Sequence, residues 1–151
     1  MNIVFLVSIA VEANPTYNGN NSTAQWGGKW ALTVHRPDHD SKARQVHLRF
    51  EVTAGDDLKL LPYSGHLQAA AEITFDRAED AALLDQAAAW NATGPLVGFI
   101  RSHLDAITAV GPYARMILGG ITQSQLVVAG QLTDASGNLS PLYPQSSEAS
   151  E

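Results

Sequence analysis

The hydrophobic period of this chain changes near Phe75, and that change constrains the fold more than any other feature. Before it, apolar side chains recur at every second position, most clearly in residues 46–52, which read VHLRFEV. After it, they recur at intervals of three and four, as in residues 96–107, LVGFIRSHLDAI. The first spacing predicts half-buried strands and the second an amphipathic helix. Strands followed by helices predict an α+β protein with helices on one face of an antiparallel sheet.

Four strands are predicted before Phe75. They cover residues 3–13, 29–35, 43–54 and 58–75. The first ends ahead of Pro15, because proline cannot donate to a strand ladder. Gly55-Asp56-Asp57 is predicted to turn the third strand into the fourth. The fourth is so long that a bend near Pro62 or Gly65 is expected.

Two helices are predicted after Phe75. Residues 76–90 have a helical composition, with an aspartate as a candidate N-cap. Thr93-Gly94-Pro95 is expected to end this helix, because proline lacks an N–H and clashes with the preceding turn. Residues 96–110 carry one apolar stripe and are predicted as the second helix. Residues 122–132 fit a last helix or a strand, with a helix favoured.

Composition divides the chain at residue 134. Residues 1–133 contain every predicted strand and helix, and we expect them to form a single α+β domain. Residues 134–151 contain serine, proline, glycine and acidic residues, a composition that buries too little apolar surface to fold. They are therefore predicted to be a flexible acidic and polar tail.

Charge and cysteine content exclude several classes of function. The chain has 151 residues, a net charge of −6 and no cysteine, so disulfides, thiol catalysis and thiolate metal sites are ruled out. An acidic chain repels phosphate, and no nucleic-acid partner is expected. Charged residues make up 16% of the chain, a low share that is compatible with an oligomer burying part of its surface.

The apolar run of residues 3–11 fits either a first strand or a short signal peptide. No Lys or Arg precedes it, and it is too short to span a bilayer. A strand is favoured, and with it a cytoplasmic protein without membrane insertion.

The sequence lacks the motifs of a serine nucleophile elbow and of a phosphate-binding loop, and we expect a binding protein rather than an enzyme. Gly-x-Ser-x-Gly and glycine-rich phosphate loops do not occur. Histidines offer an alternative: His35, His39, Asp40 and His47 are close in sequence, and His35 and His47 fall on the polar faces of neighbouring strands. Such residues could form a two-histidine, one-carboxylate metal site. Solvated surface histidines are the default, so no metal or other cofactor is expected.

Large aromatic side chains are the remaining candidates for function. Trp26, Trp30, Tyr63, Phe75 and Trp90 stand on a chain with few charges. A groove lined by such residues between helix and sheet would bind an extended apolar peptide. Ordinary core packing is the alternative, and composition alone favours it.

Three stretches are similar to the SecB export chaperone family. Residues 46–54, VHLRFEVTA, resemble the family's strand of the type VVLRVTVTA. Residues 67–73, LQAAAEI, lie where the family has its small-residue strand VQQGGIF, and residues 96–102, LVGFIRS, lie where it has ILFPYARE at the head of the main helix. Residues 112–115 spell PYAR literally, but that register leaves too little chain for a second helix.

The resemblance implies four antiparallel strands followed by two helices on one face of the sheet. It implies a homo-oligomer, in which sheets pair into dimers and helices pair dimers into a tetramer. The implied function is a cytoplasmic holdase that keeps unfolded or extended polypeptides in apolar grooves, for export or for control of a toxin–antitoxin pair. By resemblance, the client-binding residues are Trp30, Tyr63, Phe75, Trp90 and Phe99.

The same resemblance names the expected partners, which are unfolded clients and either the SecA motor or an antitoxin. The family docks SecA through carboxylates on its sheet. This chain has Gly65-His66 where one of them would fall, which counts against the motor. A structural or assembly subunit with one fixed protein partner is an alternative function, alongside the histidine metal site.

Overall fold

The computed structural model describes residues 3–15, 27–37, 42–53, 62–77, 80–112 and 121–144. In chain order these residues form β1 (Ile3–Ala13), β2 (Gly27–His35), β3 (Ala43–Thr53), β4 (Tyr63–Thr74), α1 (Ala81–Ala109), α2 (Gln123–Val128), β5 (Gln131–Thr133) and β6 (Leu139–Pro141). The predicted turn at residues 55–57 lies outside the described residues.

Strands β1 to β4 form an antiparallel Greek key. β2, β3 and β4 are consecutive neighbours, and β1 lies beside β4 at the far edge. The predicted α+β class is confirmed, but the predicted four-stranded antiparallel sheet is incomplete. β5 pairs with β2 in parallel and β6 pairs with β5, so the described residues form a mixed six-stranded sheet.

Alternation in β3 decides which face of the sheet is buried. Val46, Leu48 and Phe50 are completely buried, whereas Gln45 and His47 lie on the opposite face and are partly exposed. α1 packs on the apolar face, mainly over β3 and β4. Burying each such side chain contributes about 1.5–3 kcal/mol. A slip of one residue would expose all three, so this face fixes the register of the sheet.

Small side chains let α1 approach the sheet closely. Ala69 and Ala71 of β4 are completely buried, and they pair with Leu48 and Val46 of β3. The buried side of α1 carries three further alanines, Ala88, Ala89 and Ala92.

α1 is continuous through Thr93-Gly94-Pro95, so the prediction of two helices separated there is wrong. Pro95 lies on the exposed side of the helix, whereas Thr93 and Leu96 are completely buried. The hydroxyl of Thr93 donates to the carbonyl oxygen of Ala89 at 2.6 Å. Packing of the buried side therefore outweighs the helix-breaking effect of proline, which is about 3 kcal/mol.

α1 begins after an aspartate, as the sequence predicts. Its N-cap is Asp80, whose carboxylate accepts a hydrogen bond from the backbone N–H of Ala82 at 2.9 Å. This bond satisfies one of the backbone donors that the first turn of a helix leaves without a partner.

The C-terminal segment is folded, in contrast to the predicted flexible tail from residue 134. The carboxylate of Asp134 accepts hydrogen bonds from the backbone N–H groups of Ser136 and Asn138, both at 2.9 Å, in the turn that leads into β6. Leu142 beyond β6 is 5% exposed. The tail prediction is therefore wrong as far as Pro144, and residues 145–151 lie outside the described residues.

Residues 122–132 contain both candidate structures, a short helix followed by a strand.

Candidate polypeptide-binding surfaces

β1 is an edge strand of eleven residues. One side of it pairs with β4, and the other side faces no strand within the described part of the chain. An edge of this length presents a row of backbone N–H and C=O groups that can pair with another chain. The strand at the opposite edge, β6, has three residues. β1 is therefore the side on which this sheet can add a long strand.

Apolar side chains are exposed along β1. Val4 and Val11 pack against the core, but Leu6, Val7 and Ile9 are 37%, 44% and 38% exposed. The pairing with β4 is irregular between Leu6 and Ser8. At such an irregularity the side chains no longer alternate regularly between the two faces of the sheet. The exposed side chains lie next to one another on an open backbone edge, so a partner that paired with β1 would also bury them.

Tyr63 lies in the core. Its side chain is 3% exposed, and its hydroxyl donates to the carbonyl oxygen of Thr108 at 3.4 Å. A β-carbon at Gly111 would lie 2.1 Å from the same hydroxyl oxygen, so the end of α1 closes over it. Tyr63 therefore cannot contact a client while the chain is in this conformation.

Trp30 and Phe75 are half-buried, and both pack against the core. Trp30 lies opposite Phe50 in the ladder between β2 and β3, with the ring centroids 4.7 Å apart. Each residue therefore offers part of its ring to the surface, and the rest of the ring stabilises the sheet.

Trp90 and Phe99 are nine residues apart on α1, which is about two and a half helical turns, so they lie on opposite flanks of the helix. Trp90 is 40% exposed, and its indole N–H donates to the hydroxyl oxygen of Tyr143 at 2.9 Å. Phe99 is half-buried, with its ring centroid 4.2 Å from that of His103. The predicted aromatic residues therefore do not line one groove.

The flank of α1 that carries Trp90 is covered by the C-terminal segment. The backbone N–H of Leu142 donates to the carbonyl oxygen of Gly130 at 2.9 Å. A β-carbon at Gly130 would lie 3.2 Å from Leu142 Cδ2 and 3.5 Å from Leu32 Cδ2, so the two leucines meet there. We use the name Trp90 groove for the surface of Leu32, Trp90 and Gly130 that Leu142 and Tyr143 contact.

His35 and His47 meet on the polar face of the sheet, as their positions in the sequence predict. Their ring centroids are 4.5 Å apart. His47 is held by Gln45 at 2.7 Å and by Gln68 at 3.1 Å. Burial lowers the pKa of His47 to about 4, with a smaller contribution from nearby His35, and burial also lowers the pKa of His35.

The metal-site alternative rests partly on His39 and Asp40, which lie outside the described residues. Within the described ranges, no three histidine or carboxylate side chains are placed so as to hold a metal ion. His35 and His47 would supply two ligands, but both ring nitrogens of His47 already contact glutamine side chains.

A buried ion cluster joins the start of α1 to β2 and β3. Asp85 accepts hydrogen bonds from Arg44 Nε at 2.6 Å and from Arg36 Nε at 3.1 Å, and Arg36 Nη2 forms a further short contact with it. The hydrogen bond to Asp85 raises the pKa of Arg36. A pocket of about 400 Å³ opens beside the two arginines, and Glu72 also lines it. Charges of both signs make this pocket unsuitable for an apolar peptide.

Two of these features left little trace in the sequence. Leu142 and Tyr143 lie in a stretch with the composition of a tail, and Asp85 reads as an ordinary helical acid. A leucine–tyrosine pair inside an otherwise polar tail is the one signal that could have pointed to a docked segment.

No protein-family model matches the chain, and no curated protein matches it significantly. Solved structures do match it. A SecB-like chaperone of Mycobacterium tuberculosis, solved in complex with a ChAD peptide from the HigA1 antitoxin, superimposes with a TM-score of 0.61 at 13% identity, over 80% of this chain and 88% of that chain. The chain has a SecB-like fold. A protein of unknown function from Streptococcus agalactiae matches with a TM-score of 0.41 at 14% identity, over 79% of this chain and 94% of that chain.

Within the described residues, two surfaces are candidates for binding a partner. One is the β1 edge with its exposed apolar side chains, and the other is the Trp90 groove, which its own C-terminal segment covers. Among the helices that the structure describes, none has the length and hydrophobicity needed to cross a membrane.

Proposed function

We propose that this chain is a homo-oligomeric holdase that binds unfolded or extended polypeptides and performs no catalysis. The observation that carries the proposal is the open β1 edge with Leu6, Val7 and Ile9 exposed, on a SecB-like fold. A long apolar edge is an aggregation hazard for a monomer, and natural proteins cover or charge such edges. The exposed part of β1 carries neither a lysine nor a proline, so it suits pairing.

Pairing of two β1 strands supplies the first step of assembly in this proposal. Two copies related by a two-fold axis would place β1 beside β1 in antiparallel order, because a two-fold interface uses the same patch on both subunits. The sheet would then continue from one subunit into the next, and the three exposed apolar side chains would become buried.

Client binding needs no nucleotide and no metal in this proposal. Burial of client apolar surface contributes about 25 cal/mol per Å², and main-chain hydrogen bonds add affinity that does not depend on the client's sequence. The Mycobacterium tuberculosis chaperone binds an antitoxin peptide, so an antitoxin segment is one polypeptide that we propose as a client, along with unfolded proteins. We propose that the protein acts in the cytoplasm.

Solution mass with and without an unfolded client is the direct test. The purified chain should elute as a dimer or tetramer by light scattering, and it should slow the aggregation of a chemically unfolded protein at stoichiometric concentration. A monomer that leaves aggregation unchanged would contradict the proposal. Capture of one protein at fixed stoichiometry, without effect on unfolded proteins, would instead identify an assembly subunit.

A further inference from the structure

The Trp90 groove already holds a short piece of polypeptide. Leu142 is 5% exposed against Leu32 and Gly130, its backbone N–H donates to the carbonyl oxygen of Gly130, and the next residue, Tyr143, accepts from the indole of Trp90. An apolar side chain in a groove, one main-chain hydrogen bond and one aromatic anchor are the contacts by which extended peptides are recognised. The occupant is this chain's own C-terminal segment.

The segment is held by few interactions. It is joined to the sheet through β6, which has three residues, all of them exposed. β6 pairs with β5 alone in the described sheet, and β5 also has three residues. Parts of a protein with few buried contacts open at a small fraction of the free energy of global unfolding. Local opening at β6 would free the groove of Leu142 and Tyr143 without unfolding β1 to β4 and α1.

We propose that the Trp90 groove is a client-binding site that the C-terminal segment occupies in competition with the client. The client segment that it fits is apolar, with a leucine or a residue of similar size followed by a tyrosine. This inference rests on the proposed holdase function and adds its site and its regulation. The apparent affinity for a client falls in proportion to the fraction of chains in which the groove is open.

A reversible lock gives the sharpest test. The chain has no cysteine, and Gln131 and Pro141 are register partners in the ladder between β5 and β6. The double variant Gln131→Cys, Pro141→Cys can therefore form one disulfide that holds the residue directly before Leu142 against β5. The probe is reduced and carboxymethylated α-lactalbumin, which remains unfolded. Oxidised protein should bind the probe about tenfold more weakly than the same sample after reduction.

A second arm opens the groove. Leu142→Ser should bind the probe more tightly than the wild-type chain, and a synthetic peptide of residues 138–144, NLSPLYP, should reverse that gain. The same peptide with serine in place of Leu142 should not reverse the gain. Leu139→Ser is the matched control, because Leu139 is 65% exposed in the same segment and should leave affinity unchanged.

The outcomes separate this inference from the proposed function. Equal binding by the oxidised and reduced samples, or tighter binding by the oxidised one, would overturn the groove proposal even if the wild-type chain binds the probe. If neither the wild-type chain nor the reduced variant binds the probe, the holdase function fails and the groove proposal falls with it. The disulfide experiment keeps Leu142, so its result does not require the Leu142→Ser variant to fold.

Discussion

Arg44 Nε donates a hydrogen bond to Asp85 Oδ1 at 2.6 Å, and the two side chains are 3% and 2% exposed. The bond connects the second turn of α1 to the start of β3. Arg36, at the end of β2, shares the same carboxylate. One aspartate thus holds the N-terminal part of α1 against two strands.

Asp85→Asn should destabilise the chain by about 3–5 kcal/mol, because it removes the carboxylate charge that pairs with the buried guanidinium of Arg44. Urea unfolding followed by circular dichroism measures the change as a lower midpoint. Asp76→Asn is the control, since Asp76 is exposed and its loss should change stability by no more than about 0.5 kcal/mol. Equal midpoints for the two variants would show that the buried pair contributes no stability.

Acid should weaken the fold through His47. Its folded-state pKa, about 4, lies below the unfolded value of 6.5, so the unfolded state binds more protons between these values. Stability contributed by neutral His47 is therefore fully present above about pH 6.5 and is lost as the pH falls towards 4. Thermal melts at pH 7 and pH 4.5 should differ more for the wild-type chain than for His47→Gln.

A substitution at His35 tests what lowers the pKa of His47. His35→Gln removes a charge that opposes protonation of His47 and part of the surface that covers it. The pKa of His47, followed by its ring proton resonances in NMR titration, should rise towards the ordinary histidine value. An unchanged titration would mean that His35 does not influence His47.

Gly65 has a φ of +139°, and a β-carbon there would lie 1.8 Å from the carbonyl oxygen of Ala10 in β1. Gly65→Ala should therefore destabilise the chain by about 1–3 kcal/mol or more, since it combines backbone strain with a clash between β1 and β4. Gly98→Ala is the control. Gly98 lies inside α1 with open space around its α-carbon, and alanine there should stabilise the chain by about 0.5–1 kcal/mol. Chemical unfolding of both variants measures the contrast.

Charges on β1 should break up the assembly without unfolding the subunit. Leu6→Lys with Ile9→Lys places two charged groups on the open edge, and charged side chains block pairing between edges. Light scattering should show a smaller mass than for the wild-type chain, with an unchanged far-ultraviolet spectrum. Leu139→Lys, at an exposed position on β6, should keep the wild-type mass. An unaltered mass for the β1 variant would place the interface elsewhere.

The strands could be predicted from the sequence because their side chains carry the pattern themselves. Val46, Leu48 and Phe50 alternate with polar residues, and all three are buried where alternation places them. The approach of His35 to His47 followed from the same alternation. Local periodicity is enough for such features, since each residue's face depends on its neighbours in the same strand.

The helix and the C-terminal segment could not be predicted in this way, because distant contacts decide them. Pro95 would end an isolated helix, and burial of Thr93 and Leu96 against the sheet keeps it helical. Tyr143 lies in a stretch whose composition predicts a flexible tail. Its position is fixed by the hydrogen bond from Trp90, fifty-three residues earlier in the chain. Sequence patterns carry no information about such partners until the fold brings them together.

The parallel strand β5 beside β2 has a consequence for the size of any assembly. It leaves β1 as the one long edge open in the described sheet, so each subunit can extend a sheet in a single direction. In the dimer proposed here, joined along β1, the combined sheet would end on both sides in a three-residue strand. Growth of the sheet would stop there, giving a closed pair instead of a fibre.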